Sequence, residues 1–501
     1  MTALPDVPIQ PSEGGPLRRH PRWLVLSMAT AVWAFALLLR LTFANQVLSH
    51  NSADQIVSWH FDSREYVQLG RHLAATGQYG SDTPESRFFA MLRTPGYPAL
   101  VSLSYRLGWG IPGLVWAQAV LGSLVPLMTF WLARQIFRDL WGPTVAGVFA
   151  ALSTTGIGLS AMVLADLTFA VLIAAGIALL YAGGAGGKTY AWLLAGLVLG
   201  AAILVKPATT YFWPAVALAW WMFSRSENRP IRWHALAWVV AAPLLVTLAW
   251  SARNHAVTGR WVYSTVDAQN LRHFLAPLTE EFARAKGPPP GDALHANHIG
   301  AMQRDLGDIM MARITPADLA DRQKTEARAI IMKTPFWSAT GMLISAGICF
   351  HDGWAWTPDQ LKAPTALRDL TYRLNALQID LRFPMLGLAI VVLIERVLLR
   401  RRHKHWLRHT LHLDRRAASN DPDDDDDDVL LAVDRPSPDA LRETRDLAAL
   451  AAMLAYFVLI SGTAFSTGFR IVYPAEFTLI LCAIGGVRSL SRMLLRYVDT
   501  R

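Results

Sequence analysis

Long apolar runs recur from one end of this chain to the other, and no other feature constrains its fold as strongly. About 17–25 apolar residues suffice for a helix to cross a hydrocarbon core of about 30 Å. Runs that reach or approach this length occupy residues 23–43, 113–133, 143–161, 164–182, 189–205, 208–223, 232–251, 384–399, 447–465 and 471–487. The chain therefore reads as an all-α membrane protein, a polytopic helical bundle of about ten transmembrane helices. Composition agrees: 53% of the 501 residues are hydrophobic and 17% charged, against about 25% charged in an ordinary soluble protein. Disorder, a fibrous chain and a soluble core are excluded.

The net charge of +9 comes without a basic stripe interleaved with aromatics, so no nucleic-acid partner is indicated. The excess reads as topology, because Lys and Arg in short loops favour the cytoplasm. Arg18, Arg19 and Arg22 precede the first run, which is too long for a signal peptide and reads as a retained span. On the same side fall Arg134 and Arg138, Lys188, the group Arg225, Arg229 and Arg232, the stretch Arg400 to Lys404, and the tail with Arg488, Arg492 and Arg496. An even number of spans with both ends cytoplasmic fits these positions. Cys349 and Cys482 lie far apart inside apolar segments, which argues against a disulfide framework or a thiolate metal site.

The charges divide the chain into a cytoplasmic N-terminus (1–22), a membrane module (23–251) with a first outer loop (44–112), a second outer region (252–383), a span (384–399), a cytoplasmic acidic linker (400–446), a transmembrane hairpin (447–487) and a tail (488–501). The segments from Tyr97 to Leu107 and from Trp337 to Phe350 are apolar but short, and read as interfacial helices. Asp423 to Asp428 is a solvated acidic run, and the Gly287-Pro288-Pro289-Pro290-Gly291 stretch is a connector.

The outer loops carry the chemistry. Phe61-Asp62-Ser63-Arg64-Glu65-Tyr66 opens a helical pattern with Tyr66, Leu69 and Leu73 on one face and Gly77 placed to end it. Asp62 and Glu65 have capping-box spacing, so Asp62 is either a helix cap or a general base at the lip of a membrane cavity. Arg93-Thr94-Pro95-Gly96-Tyr97-Pro98 sets a turn, and Arg93 is either a snorkelling side chain or a phosphate contact. Asp166 stands at the outer end of the fourth run, as an N-cap or as a functional acid at membrane depth. Lys206, Arg253 and Arg470 end or follow other runs on the same side. Trp354 and Trp356 in the second outer region are interfacial anchors or sugar-stacking rings. Acids and cations gathered at one membrane level suit an anionic lipid headgroup.

These features, in this order, resemble a family. Asp62, Tyr66 and Leu69 precede Arg93-Thr94-Pro95-Gly96-Tyr97-Pro98; Ala165-Asp166-Leu167-Thr168-Phe169, Val205-Lys206-Pro207, Arg253-Asn254-His255 and Arg470-Ile471-Val472-Tyr473-Pro474 follow. The chain is similar to integral-membrane glycosyltransferases of the GT-C superfamily, in particular the family 39-like bacterial enzymes that use a polyprenyl-phosphate sugar. The match covers about residues 20–490. The resemblance implies a bacterial inner-membrane enzyme with its site open to the periplasm, a polyprenyl-phosphate-linked sugar donor, and a periplasmic glycan, lipid or protein acceptor. It makes Asp62 the catalytic carboxylate and Asp166 its acidic companion. Two departures stand out: relatives commonly carry two adjacent acids where this chain has Asp62-Ser63, and Lys-Pro-Pro where it has Thr94-Pro95-Gly96. No sugar specificity is carried over.

The expected reaction is an inverting transfer, with Asp62 as base and Lys206 and Arg470 on the departing phosphate. Arg93 and Arg253 are further phosphate contacts, Asp166 orients the acceptor or holds a cation, and Tyr66, Tyr97 and Tyr473 flank the sugar. A divalent cation is compatible with the carboxylates and phosphate. The rivals are a transporter or flippase of lipid-linked or anionic substrates, a glycan ligase acting on a lipid pyrophosphate, and a membrane scaffold.

Overall fold

The computed structural model describes residues 20–186, 189–210, 233–287, 302–351, 365–417, 437–461, 463 and 472–499. Among them every regular element is helical. Among the described residues six helices or helix segments have the length and apolar composition of a membrane span: Arg22–His50, Gly110–Ile136, Ala165–Gly183, Thr371–His403, Pro438–Ser461 and Tyr473–Arg496. The expected span over 208–223 lies mostly outside the described residues. So do Lys188, the group Arg225, Arg229 and Arg232, Trp354, Trp356, the run Asp423 to Asp428, and Arg470.

In chain order, α1 (Arg22–His50) is followed by four short helices, α2 (Ala53–Ser58), α3 (Phe61–Thr76), α4 (Pro84–Leu92) and α5 (Gly96–Arg106). The last of these is a helix over the short apolar segment expected from Tyr97 to Leu107, almost residue for residue. It seats on α3 because Gly70 has no side chain; a Cβ there would stand 2.5 Å from Val101 Cγ1. Gly77 ends α3 as read, in the left-handed region at φ 75° with its N–H bonded to the Leu73 carbonyl.

After α6 (Gly110–Ile136) the expected continuous span over 143–161 is broken instead. α7 (Trp141–Ala151) and α8 (Thr154–Ala161) meet at a 47° bend. Ser153 causes the break: its hydroxyl caps α8 by accepting the Gly156 N–H, offering the backbone an alternative to a continuing helix. α9 (Ala165–Gly186) and α10 (Thr189–Val205) return across the bundle, and α11 (Trp233–Thr258) packs on α10 where Gly196 lets the Trp238 carbonyl approach. The region expected as the second outer loop holds α12 (Val266–Asn270), a π-turn at Leu271–Leu275, α13 (Ala276–Ala285), α14 (302–310), α15 (Pro316–Lys333) and α16 (Pro335–His351). The expected span at 384–399 is the middle of a much longer helix, α17 (Thr365–Ala417), which runs into both flanking regions. α18 (Pro438–Ser461) and α19 (Glu476–Asp499) complete the bundle.

Candidate active site

Two acid–cation pairs form at the end of the bundle that the charge pattern assigns to the outside. In the first, Arg93 at the C-terminus of α4 reaches across to α3. Its Nη2 donates to Asp62 Oδ1 at 2.7 Å, while its Nε donates to Glu65 Oε2. In the second, Lys206, following α10, donates through Nζ to Asp166 Oδ1 in the first turn of α9. All three acids and both cations are largely withdrawn from solvent.

Neither Asp62 nor Asp166 is the cap of its helix. The N-cap of α3 is His60, whose Nδ1 accepts the Asp62 N–H at 3.3 Å, so Asp62 lies inside the first turn with its carboxylate aimed at Arg93. Glu65 does not reach back to the cap. α9 likewise begins before Asp166, at Ala165, which frees that carboxylate for Lys206.

Glu65 is the residue that sequence spacing misassigned. It is 2% exposed, and burial pushes its carboxyl up to about 7, with Arg93 opposing the shift and the Asp62 charge adding to it. One guanidinium thus serves two carboxylates, one of which titrates near neutrality. Nothing in the local pattern announces this, since the Glu65–Arg93 contact spans 28 positions.

Aromatic and amide groups join the two pairs. The Arg93 guanidinium lies 5.2 Å from the centre of the Tyr66 ring, which meets Tyr97 edge-on at 4.9 Å. The fully buried Tyr97 hydroxyl donates to Gln118 Oε1, and Gln118 Nε2 donates to the Met162 carbonyl at 2.7 Å, a few residues before Asp166. Burial, with Tyr66 and Asp166 nearby, holds the Tyr97 phenol well above its usual range, so it remains a donor. Gly96 brings the turn against α10: a Cβ there would stand 2.8 Å from the Leu204 backbone, two residues before Lys206.

Arg253 and Tyr473 have other settings. Arg253 donates to the Tyr79 carbonyl at 2.7 Å and lies over the rings of Tyr79 and Trp250, while the Tyr79 hydroxyl donates to the Arg93 carbonyl at 2.9 Å. It braces the Arg93 turn from behind. Tyr473 is buried with its hydroxyl beside Gly156, where the Arg40 guanidinium also lies, rather than beside the two acids. Among the described residues no three His, Cys, Asp or Glu side chains converge as a metal site.

No family model matches the sequence, and no curated protein matches it. Among solved structures the chain is similar to ArnT from Cupriavidus metallidurans in the apo state, with 14% identity over 93% of this chain and 77% of that one, at a TM-score of 0.35. It is similar to the same protein bound to undecaprenyl phosphate, with 16% identity, the same coverage and a TM-score of 0.35. A likeness at this level carries no residue role across.

Proposed function

We propose that the chain is a membrane glycosyltransferase that moves a sugar from a polyprenyl-phosphate donor to an acceptor hydroxyl at its outer face, with inversion at the anomeric carbon. The observation that carries this reading is the juxtaposition of the Asp62–Arg93–Glu65 and Asp166–Lys206 groups through Tyr66, Tyr97, Gln118 and Gly96. The order of the motifs in the sequence supports it.

A sugar on polyprenyl phosphate is already activated, and its lipid keeps it in the bilayer, so the protein must supply position, charge and a base. The resting cations neutralise the acids. An arriving donor phosphate competes for Lys206 and Arg93, and the more those cations engage phosphate, the stronger Asp62 becomes as a proton acceptor. The acceptor oxygen then attacks the anomeric carbon opposite the phosphate. The new C–O bond forms, the bond to the phosphate oxygen breaks with its electron pair, and the acceptor proton passes to Asp62. Lys206, Arg93 and Arg470 stabilise the departing phosphate, Arg253 supports Arg93, Asp166 orients the acceptor, and Tyr66 and Tyr97 fix the pocket wall.

The test is incubation of the purified protein with labelled sugars on undecaprenyl phosphate, the lipid bound in one of the two similar structures. Release of undecaprenyl phosphate with the sugar on an acceptor supports the proposal. Movement of the intact donor across vesicles without cleavage would establish a flippase instead.

A further inference from the structure

Away from the paired acids, the second outer region contains a slot with a construction of its own. Gly259, at φ 72°, ends α11 with its N–H bonded to the His255 carbonyl and turns the chain so that Arg260, Trp261 and Val262 run beside α15. The facing side of α15 presents Ala317 and Ala320, whose small side chains leave an open slot of about 250 Å³. Trp261 is 67% exposed, with one face stacked on His255 at 4.8 Å between ring centres. The imidazole thus pins the indole, which borders the slot and keeps most of its surface exposed.

The rim is charged but compensated. Arg260 pairs with Asp318 at 3.2 Å and lies 3.8 Å from Asp321, while Lys324 pairs with Asp267 at 2.9 Å. No net positive field is left for a phosphate, so an anionic headgroup is a poor match. A wide aromatic face beside fixed carboxylate, guanidinium and ammonium groups instead suits a neutral ring with C–H bonds on one face and hydroxyls around its edge. The slot also adjoins the proposed reaction site: Asn254, beside Arg253, holds the Val262 and Tyr263 carbonyls, and the Tyr263 hydroxyl donates to the Ile203 carbonyl just before Lys206.

We propose that this slot is a binding subsite for a neutral pyranose ring, a sugar of the acceptor remote from the reacting hydroxyl, seated on Trp261 with its hydroxyls on Asp321, Arg260 and Lys324. The assignment to the acceptor rests on the transferase reading; the affinity for a neutral sugar does not. The test is saturation-transfer NMR on the full-length protein in a zwitterionic detergent without a sugar headgroup, using methyl β-glucoside and N-acetylglucosamine as probes. Saturable binding is expected for at least one probe. It should weaken about tenfold in Trp261→Ala and detectably in Asp321→Ala, whose exposed side chain can be removed without emptying the core. Undecaprenyl phosphate affinity should be unchanged in both.

No saturable sugar signal in the native protein would overturn the proposal, as would equal binding by both variants. Displacement of the sugar by inorganic phosphate or sn-glycerol 3-phosphate would also overturn it and identify a headgroup site. Sugar binding in a protein that neither binds nor cleaves the lipid donor would refute the transferase reading while leaving the subsite in place.

Discussion

Arginine–carboxylate clusters close both ends of the bundle, and they are built on different logic. At the end that the charge pattern assigns to the cytoplasm, called inner below, Arg492 on α19 uses two donors on the two oxygens of Glu395 from α17, at 2.9 and 2.6 Å, and a third on Glu443 from α18 at 2.9 Å. Arg488 joins Glu443 to Asp139 beyond α6, and Arg138 meets Asp439 at 2.6 Å. These contacts join residues as many as 349 positions apart and match forked guanidinium to carboxylate, which suits a staple between helix ends. At the end the charges assign to the outside, the partners lie 28 to 40 positions apart, and one of the two acids that share the Arg93 guanidinium has its carboxyl pushed up to about 7 by burial. The comparison shows why ion pairing alone does not mark a site. A surplus buried acid poised near neutrality, with a second cation close by, is a chemical arrangement rather than a mechanical one.

Substitutions at the two ends should therefore separate activity from stability. The largest effect is expected for Asp62→Asn, which keeps the shape and an acceptor for Arg93 while removing the base. Sugar transfer should fall by about 10²–10⁴-fold with the thermal midpoint essentially unchanged, and transfer at the native rate would remove Asp62 as the base. Glu65→Gln tests the surplus acid. The raised Glu65 carboxyl keeps its proton in the folded state where the unfolded chain has lost it. Its contribution is therefore complete below its ordinary value of 4.5 and drains away as pH rises to about 7. Unfolding curves in detergent should show the native protein losing up to about 3 kcal/mol relative to Glu65→Gln across that window, and parallel profiles would contradict it.

At the inner end, Glu443→Ala leaves Arg488 and Arg492 short of a partner. It should cost about 2 kcal/mol of stability, read as a lowered thermal midpoint, with the transfer rate per folded molecule unchanged. A smaller effect is expected for Gly96→Ala, because the added Cβ meets the Leu204 backbone and pushes the Arg93 turn away from Lys206. Transfer should slow about tenfold through misplacement, with a cost of about 1–3 kcal/mol from overpacking, as measured by rate and melting on the same preparation.

Much of this organisation is legible in the sequence. Apolar run length identifies the long helices because a bilayer tolerates few alternatives to them. The sidedness of the charges brings Arg138, Arg488 and Arg492 to one end and Asp62, Arg93, Asp166 and Lys206 to the other. Which acid meets which cation is not legible, because the Arg93 turn is placed by close approaches at Gly70 and Gly96, and α9 meets α10 where Gly176 faces Leu199. Spacing misled at Glu65, where a capping pattern coincided with a tertiary ion pair, and at Ser153, where an apolar run long enough to span concealed a break. His60 as the cap of α3 lay one residue outside the helix boundary that periodicity suggests, within the ordinary uncertainty of helix ends.

The most direct test of the central claim, that the outer cluster receives a lipid-linked phosphate and the inner one does not, is the affinity for undecaprenyl phosphate. It should be measured side by side in the native protein, Lys206→Ala and Glu443→Ala, each confirmed folded. The expected result is about a tenfold or greater loss in Lys206→Ala and native affinity in Glu443→Ala. Native affinity in a folded Lys206→Ala protein would contradict it.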